Sequence, residues 1–179
     1  VWWTNLAAPE AALAASLKRL RLDHVDLFLI HWPNPAIPLA STLAAMVGLK
    51  ERGLARAIGV ANFPAGLLRE AVSTGAPIAC NQVEYHVMLS QEPVLRVARA
   101  HDIVVTAYSP LGKGGLAEDP TLAAIGRRHG VTGAQVALAW LLEQDRVAAI
   151  PKSGRIENMR ANLAALDLRL TDEDRAAIA

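Results

Sequence analysis

With 179 residues, 53% of them hydrophobic and 20% charged, the chain is long and apolar enough to bury a full core as one domain, which excludes a disordered tail. The 18 Lys and Arg against 17 Asp and Glu leave a net charge of +1, with no basic footprint for nucleic acid and no acidic surface for cationic partners, so a small-molecule substrate is expected. Cys80, the single cysteine, cannot form an internal disulfide or a cysteine metal cluster and suits a reducing compartment; the cytoplasm is the expected location, and no apolar run approaches the roughly 20 residues that span a bilayer.

The opening VWWTNL carries no methionine and no signal-peptide pattern, and its bulky residues read as a start inside a strand. Pro9 then opens a helix with apolar residues at Leu13, Leu17 and Leu20. VDLFLIH (25–31) is the first whole strand, followed by a helix carrying Leu43, Met46, Val47 and Leu49, which Gly53 ends. ARAIGVA (55–61) is the next strand, and Leu67, Leu68 and Val72 mark the helix after it. IACNQVE (78–84), a helix through Val94, Leu95, Val97 and Ala98, DIVVTAY (102–108) and RVAAIP (146–151) continue the alternation, and TDED (171–174) caps a short final helix.

Strict alternation of strand and helix implies parallel strands with crossover helices, either a doubly wound open sheet or a (β/α)8 TIM barrel. GKGG at 112–115 has neither the dinucleotide fingerprint nor the P-loop spacing, which disfavours the open sheet. His31, Asn62, Glu84, Tyr108 and Lys152 all fall at or just past the C-terminal ends of their strands, where a barrel builds its active site. Five whole strands and the stub at 1–3 fall short of the eight a barrel needs, so the expected fold is an α/β barrel fragment running from the end of strand 3 to strand 8 and the C-terminal helices.

Several of these strand ends carry chemistry. His31 precedes Trp32 and Pro33, and Pro33 has no N–H with which to continue a ladder. A neutral imidazole there can orient a carbonyl, or can merely be satisfied by a backbone group; Trp32 can wall a pocket or simply pack. In CNQVEYH, period two sets Gln82, Glu84 and His86 on one face and Asn81, Val83 and Tyr85 on the other. The first face reads as an internally bonded polar set, as a weak metal site, or as a place where the Gln82 amide holds a planar carboxamide. Tyr108 offers a ring for a flat heterocycle, Ser109 and the following N–H groups can meet a phosphate, and Lys152 with Ser153 suits a phosphate monoester or a plain surface turn.

Taken together, VDLFLIHWP, LKERGLARAIGVANF, NQVEYH, VVTAYSPLGKG, TGAQVALAWLL, IPKSGRIENMRANL and LDLRLTDED resemble the aldo-keto reductase family along the whole chain, most closely bacterial members that reduce 2,5-diketogluconate and other small dicarbonyls. The resemblance implies one partial reductase barrel over 1–179, lacking its N-terminal strands and a C-terminal loop, that binds NADPH (NADP+) and acts as a monomer on a small carbonyl substrate. It assigns carbonyl orientation to His31, the nicotinamide carboxamide to Asn62 and Gln82, and ring stacking to Tyr108. Ser109 and Leu111 fall in its pyrophosphate loop, and Lys152, Ser153 and Asn162 in its 2′-phosphate and adenine site. Trp2 and Trp32 would line the substrate pocket. No metal is expected.

Ala61, Asn158 and Ala161 depart from the family's usual Ser, Arg and Glu at cofactor-facing positions. The general-acid tyrosine, its supporting aspartate and its lysine belong upstream of Val1, and neither Tyr85 nor Tyr108 matches the tyrosine's position. The expected activity is therefore NADPH-dependent reduction of small aldehydes, ketones or dicarbonyls by the intact gene product, with residues 1–179 nearly inactive alone because general acid catalysis is worth about 10²- to 10⁴-fold. The rival readings are a non-catalytic NADPH-binding module and a metal-dependent barrel hydrolase using Glu84 and His86.

Overall fold

The computed structural model describes residue 1 and residues 6–178. Helix α1 (Pro9–Leu20) leads into β1 (Val25–Ile30), α2 (Leu39–Glu51), β2 (Ala55–Ala61), α3 (Ala65–Ser73), β3 (Ile78–Glu84), α4 (Glu92–Ala100) and β4 (Val104–Tyr108). Then come α5 (Pro120–His129), α6 (Gly133–Leu142), β5 (Val147–Ala149), α7 (Ile156–Ala164) and α8 (Asp172–Ile178). The strands lie in the order β1-β2-β3-β4-β5 in one sheet, the sequential order of a (β/α)8 barrel, and hold five of its eight strands. Strands β2 and β3 match the expected segments, whereas β4 and β5 start late because Asp102 (φ 59°) and Arg146 (φ 60°) take the left-handed conformation just before them. Val1 donates its N–H to the Leu29 carbonyl and accepts from the His31 N–H (2.8 Å), in keeping with a strand stub there; the rest of that stub, Trp2 and Trp3, lies outside the described residues. Among the described residues no helix is long and apolar enough to cross a membrane.

The chain groups into two compact units, one of residues 1–83 with 92–105 and one of residues 84–91 with 106–179. In the first, β1 and β2 pair in parallel from Val25 opposite Ala55 to Ile30 opposite Val60. Ile30, Ile58 and Val60 are wholly enclosed, and Leu13, Leu43, Met46 and Leu68 of the flanking helices are buried too, whereas Leu27 of β1 is 42% exposed. Leu20, expected on the buried face of α1, is 58% exposed, because it lies in the last turn before Arg21 reverses the chain.

Strand β2 also pairs in parallel with β3, but the register shifts: Ile58 faces Ile78, whereas Val60 faces Asn81 and Ala61 faces Gln82. Two residues of β2 thus span three of β3, a bulge that re-aims the side chains after it. Gly59 sits at this point, and a Cβ built there would lie 2.6 Å from the Cys80 carbonyl oxygen and 2.8 Å from Leu29. Only glycine allows so close an approach of backbones.

In the second unit Leu116, Leu122, Ile125, Val136, Ala137, Ala139 and Leu170 form a core cluster, and the buried Tyr85 ring meets Trp140 edge to face at 5.7 Å and 67°. Helix α5 is capped by Asp119, which accepts from the N–H groups of Thr121 and Leu122 at 2.9 Å, and α6 by a reciprocal Thr132–Gln135 capping box. The expected cap of α8 forms as well. Asp174 Oδ2 accepts from the Thr171 N–H (2.9 Å), and the Asp174 N–H donates to Thr171 Oγ1 (3.1 Å). The same buried carboxylate receives Arg128 and, at 2.7 Å, His129 Nε2, so it ties α8 to the end of α5.

Two expectations follow. Gly59→Ala should destabilise the chain by about 1–3 kcal/mol or more in denaturant melts, since the clash is with backbone rather than with a flexible side chain; an unchanged midpoint would refute the close approach. Burial of Asp174 raises its pKa, but hydrogen bonds from Thr171, His129 and Arg128 outweigh that and hold it well below the usual carboxylate range. A depressed folded pKa adds stability that is complete above the unfolded value of about 4 and is lost as pH falls below it. Asp174→Asn should therefore lower Tm at pH 7 by about 4–8 °C, for a loss of about 2 kcal/mol, and should flatten the fall of Tm below pH 4. Parallel Tm–pH curves for the two proteins would contradict this.

Candidate active site

Three of the expected site residues meet in the first unit. Strand β1 ends at Ile30, and His31 follows it with an exposed side chain; its N–H is taken by Val1 and its carbonyl oxygen accepts Asn62 Nδ2 at 2.9 Å. Asn62 follows β2 at φ 62°, a left-handed conformation that asparagine tolerates better than most residues. Its N–H donates to the Gln82 carbonyl at 2.8 Å, so Asn62 is bonded on one side to His31 and on the other to Gln82. The Gln82 side chain is half-buried and its amide has no hydrogen-bond partner among the described residues. Trp32 is 44% exposed, as a pocket wall or a plain surface residue would be, and Trp2 lies outside the described residues.

The alternation read from CNQVEYH holds: Asn81, Val83 and Tyr85 are buried, while Gln82, Glu84 and His86 are half-exposed. His86 Nδ1 accepts the Met88 N–H at 3.3 Å and the Glu84 carbonyl accepts Gln91 Nε2 at 2.7 Å. Among the described residues no three His, Cys, Asp or Glu side chains come together as a metal site would need.

The other expected residues belong to the second unit. Tyr108 ends β4, half-buried, and its carbonyl accepts the Tyr85 N–H at 3.4 Å. Burial and, after it, the Glu84 carboxylate raise its phenol pKa, so Tyr108 stays a neutral ring. Beyond it the chain turns sharply, with Ser109 (φ 48°), Gly112 (φ 54°), Lys113 (φ 58°) and Gly114 (φ 100°) all in the left-handed region. This loop forms one wall of a cleft of about 680 Å³ whose lining includes Ser109, Leu111, Lys152, Ser153 and Asn162. Ser153 Oγ is held in a turn, accepting the Arg155 N–H (3.0 Å) and donating to the Arg155 carbonyl (3.2 Å).

The cleft also takes in a residue that the sequence does not single out. Lys113 lines it beside Lys152, no Asp or Glu lines it, and neither lysine has a carboxylate partner among the described residues. GKGG is read for glycine spacing, and nothing in the one-dimensional pattern says on which side of the turn the lysine lies. Asn158 and Ala161, where the family usually has Arg and Glu, line the same cleft, so both departures change the charge and hydrogen bonding of one site. A cleft of this size whose charged members are lysines, free of carboxylates, suits an anionic ligand with phosphate groups.

Residues 8–179 match the aldo/keto reductase family. The chain is 40% identical over 185 residues to methylglyoxal reductase DkgB of Salmonella typhimurium, covering 100% of itself and 69% of that protein. It is 41% identical over 165 residues to an aldo-keto reductase of Mycolicibacterium paratuberculosis, covering 91% of itself and 57% of the relative. Among solved structures it superposes on a putative 2,5-diketo-D-gluconic acid reductase B with a TM-score of 0.95 at 41% identity, covering 99% of itself and 64% of that chain. On a Klebsiella pneumoniae aldo/keto reductase solved with NADP and acetate the TM-score is 0.94 at 33% identity, with 99% and 66% covered. The chain spans roughly two thirds or less of the length of these relatives, and it belongs to the aldo/keto reductase family.

Proposed function

We propose that the protein reduces small aldehydes, ketones or dicarbonyls to alcohols with NADPH, residues 1–179 being part of a single reductase barrel that works as a monomer in the cytoplasm. The observation that carries this reading is that Ser109, Leu111, Lys152, Ser153 and Asn162, five of the eight residues expected to bind cofactor, line one cleft whose only charged members are lysines. The fit to a phosphorylated dinucleotide is good: two cations without acidic neighbours for the phosphates, and polar Ser and Asn side chains beside them. The relative named methylglyoxal reductase and the neighbour solved with NADP support the substrate class and the cofactor.

When bound, NADPH supplies the hydride that reduces the carbonyl carbon. Asn62 and Gln82 present amides to the nicotinamide carboxamide, a planar group whose donors and acceptors match theirs. Tyr108 offers a neutral ring for stacking, and Lys152 takes the 2′-phosphate together with Ser153, whose Oγ–H turns to it from the Arg155 carbonyl. His31 donates a hydrogen bond to the substrate oxygen and sets its direction, while Trp32 walls the substrate. The proton for the alkoxide comes from a general acid outside residues 1–179, since Tyr85 is buried against Trp140 and Tyr108 is committed to stacking.

Titration of residues 1–179 with NADP+ and with NAD+, followed by tryptophan fluorescence, should give NADP+ the tighter binding by about tenfold or more, and Lys152→Ala should erase most of that preference. Equal affinities in the unsubstituted chain would remove Lys152 from the 2′-phosphate site. Assayed with NADPH and methylglyoxal, residues 1–179 should turn over at least about 100-fold below an ordinary enzyme rate, for want of the general acid. An ordinary rate would overturn the external proton donor.

A further inference from the structure

Asn81 is wholly buried, yet only one of the two polar atoms of its amide is hydrogen-bonded among the described residues. Its Nδ2 donates to the Phe63 carbonyl at 2.9 Å, and its Oδ1 is buried with no partner among the described residues. An orphaned buried oxygen is a cost that an apolar side chain of similar volume would avoid. Packing alone therefore does not account for an amide at this point in β3, and the one bond it does form fixes a particular segment.

That segment is the turn after β2. Phe63 directly follows Asn62, whose backbone stands in the left-handed region and whose N–H and Nδ2 reach the Gln82 and His31 carbonyls. Asn81 directly precedes Gln82. The bond from Asn81 to Phe63 thus joins the chain immediately after one proposed carboxamide-binding residue to the chain immediately before the other. The Asn62 N–H to Gln82 carbonyl bond lies beside it, and the two together hold the turn at two consecutive residues. The β2–β3 bulge sets the register here: it puts Val60 opposite Asn81 and Ala61 opposite Gln82, where an unbroken register from the Ile58–Ile78 pair would put Ala61 opposite Asn81 and Asn62 opposite Gln82.

We propose that Asn81 is a positioning residue for nicotinamide recognition, which holds Asn62 at its left-handed backbone and in register with Gln82 while touching neither cofactor nor substrate. The proposal rests on the functional reading above, in which Asn62 and Gln82 hold the nicotinamide carboxamide. It therefore separates two ligands. NADP+ carries the carboxamide; 2′,5′-ADP carries the adenosine and the 2′-phosphate without it.

The test is calorimetric titration of residues 1–179, unsubstituted and as Asn81→Leu and Asn81→Asp, with NADP+ and with 2′,5′-ADP, each well below its melting temperature. Asn81→Leu removes the donor and relieves the orphaned oxygen, whereas Asn81→Asp keeps the shape and replaces the amide donor with a carboxyl, which is ionised in the variant when titrated at about pH 8. In both variants the Kd for NADP+ should rise by about tenfold, while that for 2′,5′-ADP should stay within about twofold. Equal weakening of both ligands, including loss of both through unfolding, means that Asn81 is merely structural and overturns the proposal, as does unchanged NADP+ affinity in either variant. Failure of the unsubstituted chain to bind either ligand overturns the functional reading itself, a result distinguishable from the others because it needs no variant.

Discussion

The contact between the backbone of Gly59 and that of Cys80 sets the geometry of the first unit. A side chain cannot fit there, so β2 and β3 approach at a point where any other residue would push them apart. The approach coincides with the register shift, and the shift decides which residues of β3 stand opposite which residues of β2. Because strand side chains alternate, a slip of one residue would exchange the buried and exposed sets, turning Gln82 inward and Asn81 outward. The half-exposed Gln82 amide and the buried Asn81 amide are both consequences of the pairing at one glycine.

The site inherits its order from strand ends. A parallel sheet brings the C-terminal ends of its strands to the same side, so residues far apart in sequence, such as His31, Asn62 and Gln82, come within two hydrogen bonds of one another. Asn62 is central because it uses both backbone and side chain for this: its N–H reaches one neighbouring strand and its Nδ2 the other. The left-handed backbone that this requires is strained for most residues and is offset by those bonds and by the packing of wholly buried Phe63 next to it.

Much of this is legible in the sequence, for identifiable physical reasons. Runs such as ARAIGVA and IACNQVE have one dominant cause, burial on a parallel sheet, and their observed limits match the expected ones. DIVVTAY and RVAAIP start late behind left-handed residues at Asp102 and Arg146; aspartate is enriched in that conformation and carries some signal, whereas arginine carries little. The alternation in CNQVEYH separates the two faces correctly, but the bulge that gives each face its partners depends on the approach of Gly59 to Cys80, 21 positions apart. Lys113 escapes a reading by pattern for a similar reason. A strained turn reverses direction within a few residues, and periodicity has no meaning where the backbone has no period.

The side chains at 158 and 161 shape the chemistry of the second unit's cleft. An arginine at 158 would add a cation and a planar fork for phosphate, and a glutamate at 161 would add an acceptor but also a negative charge close to the phosphates. With Asn158 and Ala161 the cleft has neither, and its field comes from Lys152 and Lys113 with no acidic residue to offset it. Point charges on flexible stems attract phosphate without fixing its orientation. Orientation is left to the backbone: the Ser109–Gly114 turn and the Ser153–Arg155 turn are each held by their own hydrogen bonds. Affinity in such a cleft should depend strongly on ionic strength, because the screening length is about 8 Å at physiological salt and exposed lysines feel it fully. A cleft built this way distinguishes anionic ligands by charge count more than by shape.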